Sequence, residues 1–271
     1  MGKATKKREM SDLTRLDINA GRLITVLFVV LVGAEVFFVL ADAIINVGRL
    51  SELGPVRRFF NITREDGIAS WFAVIQTWML GLTAAFLYVL VRSGESPRWR
   101  RVGWAILTLF FLYMAMDDGA EFHERIGTSA KYMLHGEDAD SGVSIAGFFP
   151  SYAWQLVFLP IFGTFGLFIL WFLNKELTVT RDKLMVVSAI GLLVLAVVAD
   201  FFEGMDLDHP FNLHGWIYYT WDLTEYQVSH FSKSIEEFME MLAMTFFWIT
   251  FLRHLVRQFP GINLQFQNPP R

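Results

Sequence analysis

The stretch LMVVSAIGLLVLAVVA (184–199) runs without a break into DFFEGMD (200–206). At about 1.5 Å per residue the apolar part extends roughly 24 Å as a helix, short of the ~30 Å hydrocarbon layer of a bilayer. It reaches full length only if Asp200 and Glu203 are counted inside the helix. Two other segments repeat the pattern. Val102–Met116 runs into Asp117-Asp118-Gly119-Ala120-Glu121-Phe122-His123-Glu124, and Met241–Leu252 follows a stretch holding His230, Glu236, Glu237 and Glu240. Leu23–Ile45, Ile68–Val91 and Tyr152–Leu173 are long enough to span unaided. The expected fold is therefore all-α: a polytopic six-helix transmembrane bundle with helices near 22–46, 67–92, 101–124, 150–174, 183–204 and 233–256. No linker, repeat or low-complexity tract divides it, so residues 1–271 read as one domain with poorly ordered tails at Met1–Asn19 and Pro260–Arg271.

Composition leads to the same class. Hydrophobic residues make up 54% of the chain and charged residues 18%, against about 25% charged in a soluble protein. Mean hydropathy is +0.40. The absence of cysteine excludes disulfides, iron–sulfur clusters, thiolate ligands and a cysteine nucleophile. A net charge of −4 gives no sign of a nucleic-acid partner. There is no P-loop, G-x-S-x-G or H-E-x-x-H motif.

Most of the 23 basic residues fall in the N-terminal tail, the loop after the second helix, the loop after the fourth and the C-terminal tail. Lysine and arginine favour the cytoplasmic side, which makes both termini cytoplasmic in a multi-pass protein, expected in a bacterial inner membrane. The first loop, with Arg49, Arg57, Arg58 and Arg64, is the exception. The first helix lacks a cleavage site and reads as a retained anchor.

This topology brings acids on four helices to one leaflet, the non-cytoplasmic one. Positions three, four and seven apart share a helical face. Glu35 and Asp42 are seven apart, Asp117, Glu121 and Glu124 form an i, i+4, i+7 stripe, and Asp200/Glu203 and Glu237/Glu240 are i, i+3 pairs. His230 precedes Glu237 by seven residues. The second and fourth helices carry no charge in their apolar stretches and read as lipid-side supports. An ionised acid at the bilayer centre costs about 2.5–3.5 kcal/mol, and like charges add repulsion, so such a cluster must share protons or bind cations. The third, fifth and sixth helices are expected to offer no basic side chain at that depth. That leaves Arg57, Arg58 and Arg125 in loops, and makes a cation the better answer.

Carboxylates with one or two imidazoles suit Fe, Mn or Zn. The expected ligands are Asp117, Glu121, Glu124, Asp200, Glu203, His230, Glu237 and Glu240, with Glu35, Asp42, Asp118, His123 and Glu236 as possible additions, around two divalent ions. The pattern resembles the helical-bundle di-iron carboxylate proteins. It departs from them where it matters: the Glu-x-x-His pair is absent, and His123 falls about 100° round a continuous helix from Glu124. Asp206 and Asp208, beside His209-Pro210, read as turn residues. The Gly204–Lys233 loop, with Trp216, Tyr218, Tyr219, Trp221 and Tyr226, reads as an interfacial aromatic belt, as a lid, or as both. The functional expectation is a metal-dependent membrane enzyme, an oxidoreductase ahead of a hydrolase, acting on a hydrophobic, lipid-like small molecule. The alternatives are a divalent-cation or proton transporter and a metal-stabilised structural subunit.

Overall fold

The computed structural model describes residues 19–135 and 150–261, and all regular structure among them is helical. The expected tails, with the basic residues before Asn19 and after Gly261, lie outside the described residues. Asn19 caps α1 (Ala20–Asp42), its side chain accepting the Arg22 amide at 3.0 Å. A π turn at Ala43–Val47 and a short α2 (Gly54–Phe60) follow. α3 (Ile68–Ser93) and α4 (Arg98–Ala120) pack on each other along their lengths, and α5 (Phe122–His135) turns away. α6 (Ala153–Glu176) and α7 (Thr180–Glu203) follow, then α8 (Leu213–Trp221) across one end of the bundle. The last helix, α9 (Glu225–Gln258), is 34 residues long and starts with a Thr224/Gln227 capping box. It lies against α7, α1 and α3.

Five helical segments are long and apolar enough to cross a membrane: Ala20–Val47, Ile68–Ser93, Arg98–Ala120, Trp154–Glu176 and Thr180–Glu203. The expected sixth span lies inside α9, whose first half is too acidic to qualify on composition. Within that half Val228, His230 and Ser234 are buried, Lys233, Glu236, Glu237 and Glu240 are half-buried, and Glu225 and Gln227 are exposed.

The core is aromatic. Trp104, Phe111, Phe172, Phe247 and Phe251 are fully buried at the centre of one continuous cluster. Gly103 is what allows α4 to approach α6, since a Cβ there would strike the Phe172 ring. Large apolar side chains such as Leu109, Leu167, Trp171 and Leu184 point outward. Apolar surface facing outward and polar groups facing inward suit a hydrocarbon surround.

The chain direction alternates so that the C-terminal ends of α1, α4 and α7 meet the N-terminal half of α9 at one end, here called the acidic end. The opposite end holds a second ionic cluster. Glu176, closing α6, accepts from Arg100 Nε at 2.7 and 2.9 Å and from Trp104 Nε1 at 3.2 Å, and pairs with His254 Nε2 at 3.1 Å. Asp182 takes Arg257 at 2.6 Å. Glu176 and Asp182 are buried at this end, and their ion pairs join α4, α6, α7 and α9.

Candidate functional site

At the acidic end the expected Asp117/Glu121/Glu124 stripe is not formed. α4 stops at Glu121, which takes left-handed backbone (φ 51°, ψ 40°) while its amide still reaches the Asp117 carbonyl at 2.7 Å. The chain then restarts as α5, and His123 swings back over the end of α4. Its amide donates to Asp117 Oδ1 at 2.9 Å and its Nδ1 lies 2.7 Å from Oδ2. The expectation that His123 faces away from the acids fails because it assumed an unbroken helix. Asp117 is buried, and Tyr113 also reaches its Oδ1, at 3.5 Å. Burial alone would lower the His123 pKa; the Asp117 hydrogen bond and charge outweigh it and raise it.

In the same end, half-buried carboxylates of α4, α7 and α9, and the exposed Glu65 of the loop before α3, come within electrostatic reach of one another. Glu240 is electrostatically coupled to Glu237, Asp118, Glu65, Asp200 and His123. Glu236 is coupled to Glu240, Asp200 and Glu203. Lys233 stands among them, coupled to Glu203, Glu237, Glu236 and Glu124. The expectation that only loop arginines could neutralise the cluster is therefore corrected. Arg57 reaches Asn46, Arg58 and Arg64 hold Asp66, and Arg125 meets Glu121 at 3.7 Å on the surface. Asp66 sits at about 2, held low by its two arginine hydrogen bonds. Lys233 was legible, since it precedes Glu236 and Glu237 by three and four residues on one face. Glu65, in the loop before α3, carried no periodic signal at all.

Specific hydrogen bonds hold two of these acids. Gln155 of α6 donates to Asp200 Oδ2 at 2.8 Å, and Ser229 donates to Glu203 Oε1 at 3.1 Å. Glu203 Oε2 and Glu236 Oε2 are buried with no hydrogen-bond partner among the described residues. A cavity of about 270 Å³ reaches Glu203 from the side of α8, lined also by Met205, Asp206, His214, Glu225 and Ser229. Burial lowers the His214 pKa, Glu203 opposing it. Asp206 and Asp208 are exposed turn residues, as their sequence context implies; Asp208 accepts from Tyr219 at 2.6 Å. Among the described residues, no group of three or more His, Asp or Glu side chains is arranged to hold a metal ion.

His230 does not join Glu237. Its Nε2 lies 2.8 Å from Asp42 Oδ2, and Asn46 and Ser234 donate to the same carboxylate at 2.8 and 3.3 Å. Asn46 reaches Asp42 from the π turn. This dyad is buried between α1 and α9. Glu35 lies deeper on α1, bonded to Gln76 and Thr245 at 3.0 and 2.5 Å. The second and fourth expected helices are thus more than supports, because they supply Gln76 and Gln155.

An almost wholly apolar groove of about 410 Å³ opens between α4 and α6, lined by Ile106, Leu109, Phe110, Tyr113, Phe158, Ile161, Phe162 and Phe165. Tyr113 links it to Asp117, and His123 packs edge-on against Trp154, Phe158 and Phe162. The groove therefore leads from the lipid-facing surface to the Asp117–His123 pair.

Fold and site together define a helical, multi-pass membrane protein with a carboxylate-rich cluster at one end. The chain belongs to a family described as a domain of unknown function (DUF8692), which matches residues 23–255. No curated protein and no solved structure matches it.

Proposed function

We propose that the chain is a membrane enzyme whose acidic cluster faces the non-cytoplasmic side, binds divalent metal and acts on a lipid-like substrate, with redox chemistry ahead of hydrolysis. In this reading α9 is the sixth span and both termini are cytoplasmic. The observation that carries it is the convergence of carboxylates from the α3 loop, α4, α7 and α9 in a cluster whose basic groups are Lys233 and His123. A surplus of negative charge in a partly desolvated site draws in cations. The acids are not set as ligating trios, so loading calls for rotamer changes in Glu236, Glu237 and Glu240. Their half-buried, flexible side chains permit it. A bound metal would supply Lewis-acid or redox chemistry. Asp117–His123 would exchange protons with a substrate headgroup whose hydrocarbon tail lies in the α4–α6 groove.

Elemental analysis of detergent-purified protein tests this. About two Fe, Mn or Zn per chain are expected, with both lost in Glu240→Gln and Glu237→Gln. Metal-free wild-type protein, or variants that keep wild-type content, overturns the metal assignment. A cation or proton transporter is the second reading, favoured by the buried Glu35–Gln76–Thr245 group midway along the bundle. Against it stands the aromatic plug of Trp104, Phe111, Phe247 and Phe251 below the acidic cluster.

A further inference from the structure

Glu35 is fully buried near the middle of α1, and its partner Gln76 on α3 is 2% exposed. The hydrogens around them can be counted. Gln76 Nε2 has two, and spends them on Glu35 Oε1 at 3.0 Å and Thr245 Oγ1 at 2.5 Å. The single hydroxyl hydrogen of Thr245 goes to Glu35 Oε1 at 2.5 Å. Two acceptors remain, Glu35 Oε2 and Gln76 Oε1, both buried and both without a partner among the described residues. No donor of the trio is left to serve either.

We propose that Glu35 is a proton-holding site, with the proton on Oε2 donated to the side-chain carbonyl of Gln76. One proton turns the first orphan from acceptor to donor and satisfies the second, which removes both unmet groups at once. The surroundings fit a neutral acid. Residues 23–34 and 36–41 of α1, 68–91 of α3 and 241–252 of α9 contain no Asp, Glu, Lys, Arg or His. Along the packed helices the next acids are Asp42, seven residues on from Glu35 and paired with His230, and Glu240, five residues along α9 from Thr245. A hard metal cation takes about six oxygen ligands, far more than the two oxygens free here. The site also has a consequence for packing. In this assignment, losing the proton sets a carboxylate against a carbonyl oxygen with no donor between them, so proton occupancy is coupled to the Glu35–Gln76 contact between α1 and α3. This assignment is independent of metal at the acidic end.

Infrared difference spectra of protein in liposomes at neutral pH test it. The carbonyl-stretch band of a protonated carboxylic acid disappears in Glu35→Gln. It moves to higher frequency in Gln76→Leu and in Thr245→Val, which each remove a donor to Oε1, and it is the same in sodium and choline buffers. A carboxylic-acid band unchanged in Glu35→Gln, loss of a carboxylate band in its place, or a band abolished by sodium overturns the proposal. If Glu35→Gln does not fold, the other two variants decide, and a spectrum indifferent to both overturns it.

Discussion

The Asp117–His123 contact rests on two side chains six residues apart that no helical spacing would bring together. Its pH dependence has a definite sign. The His123 pKa is raised in the folded chain, so the contact's stabilisation is fully present below the ordinary histidine value of about 6.5 and is lost as pH rises through the folded value. Thermal midpoints in detergent should therefore fall across that window for the wild type and change less for Asp117→Asn; parallel pH profiles would sink the assignment. Lys233 yields a second expectation. Lys233→Met strands the carboxylates of Glu203, Glu236 and Glu237 beside one another. For a half-buried group the cost lies between the exposed and buried limits, on the order of 2 kcal/mol in reversible unfolding. The acids themselves were legible in sequence because a carboxylate inside an apolar segment is conspicuous. Their hydrogen-bond partners were not, since Gln155, Ser229 and Gln76 are neutral and follow no charge pattern.

At the level of whole elements, two boundaries that shape the site differ from the sequence reading: the last helix starts at Glu225 rather than 233, within what reads as a loop that also holds α8, and the third helix ends before 124. Extending the third helix to 124 followed from its apolar shortness and its acid spacing, while the break falls at Glu121, a residue with no intrinsic preference for left-handed backbone. The reason lies in tertiary packing. α5 is drawn against the start of α6, where a Cβ on Gly127 would stand 2.7 Å from the Trp154 backbone. Gly127→Ala must push the two helices apart, at a cost of about 1–3 kcal/mol. It should also loosen His123 from Trp154, read as a change in tryptophan fluorescence. Glu121→Gly removes the penalty of a side chain in the left-handed region and should leave stability equal or raised by up to about 1 kcal/mol. A clear loss of stability would mean that the Glu121 carboxylate contributes more than its exposed contact with Arg125.

Across the molecule, ionisable side chains gather at both ends, with Glu35 between them. The acidic end was foreseeable, because its carboxylates interrupt apolar runs. The opposite cluster was not: from sequence Glu176 and Asp182 read as loop residues between two spans, where charge is ordinary, and only the fold shows them at helix ends, buried against Arg100, Arg257 and His254. These pairs join the end of α6 and the start of α7 to α4 and α9, and they lie beyond the aromatic plug from the acidic end. Glu176→Ala leaves Arg100 and His254 facing a buried gap with their partner gone, a loss of about 3–5 kcal/mol for a broken buried pair. Because the side chains near Glu240 share no contact with this cluster, the effects should be independent. Unfolding in mixed micelles should show the full destabilisation of Glu176→Ala while its metal content, measured at a temperature where it is folded, matches the wild type. A coupled loss of metal would instead show that the two ends communicate through the core, and would restore weight to a transmembrane pathway.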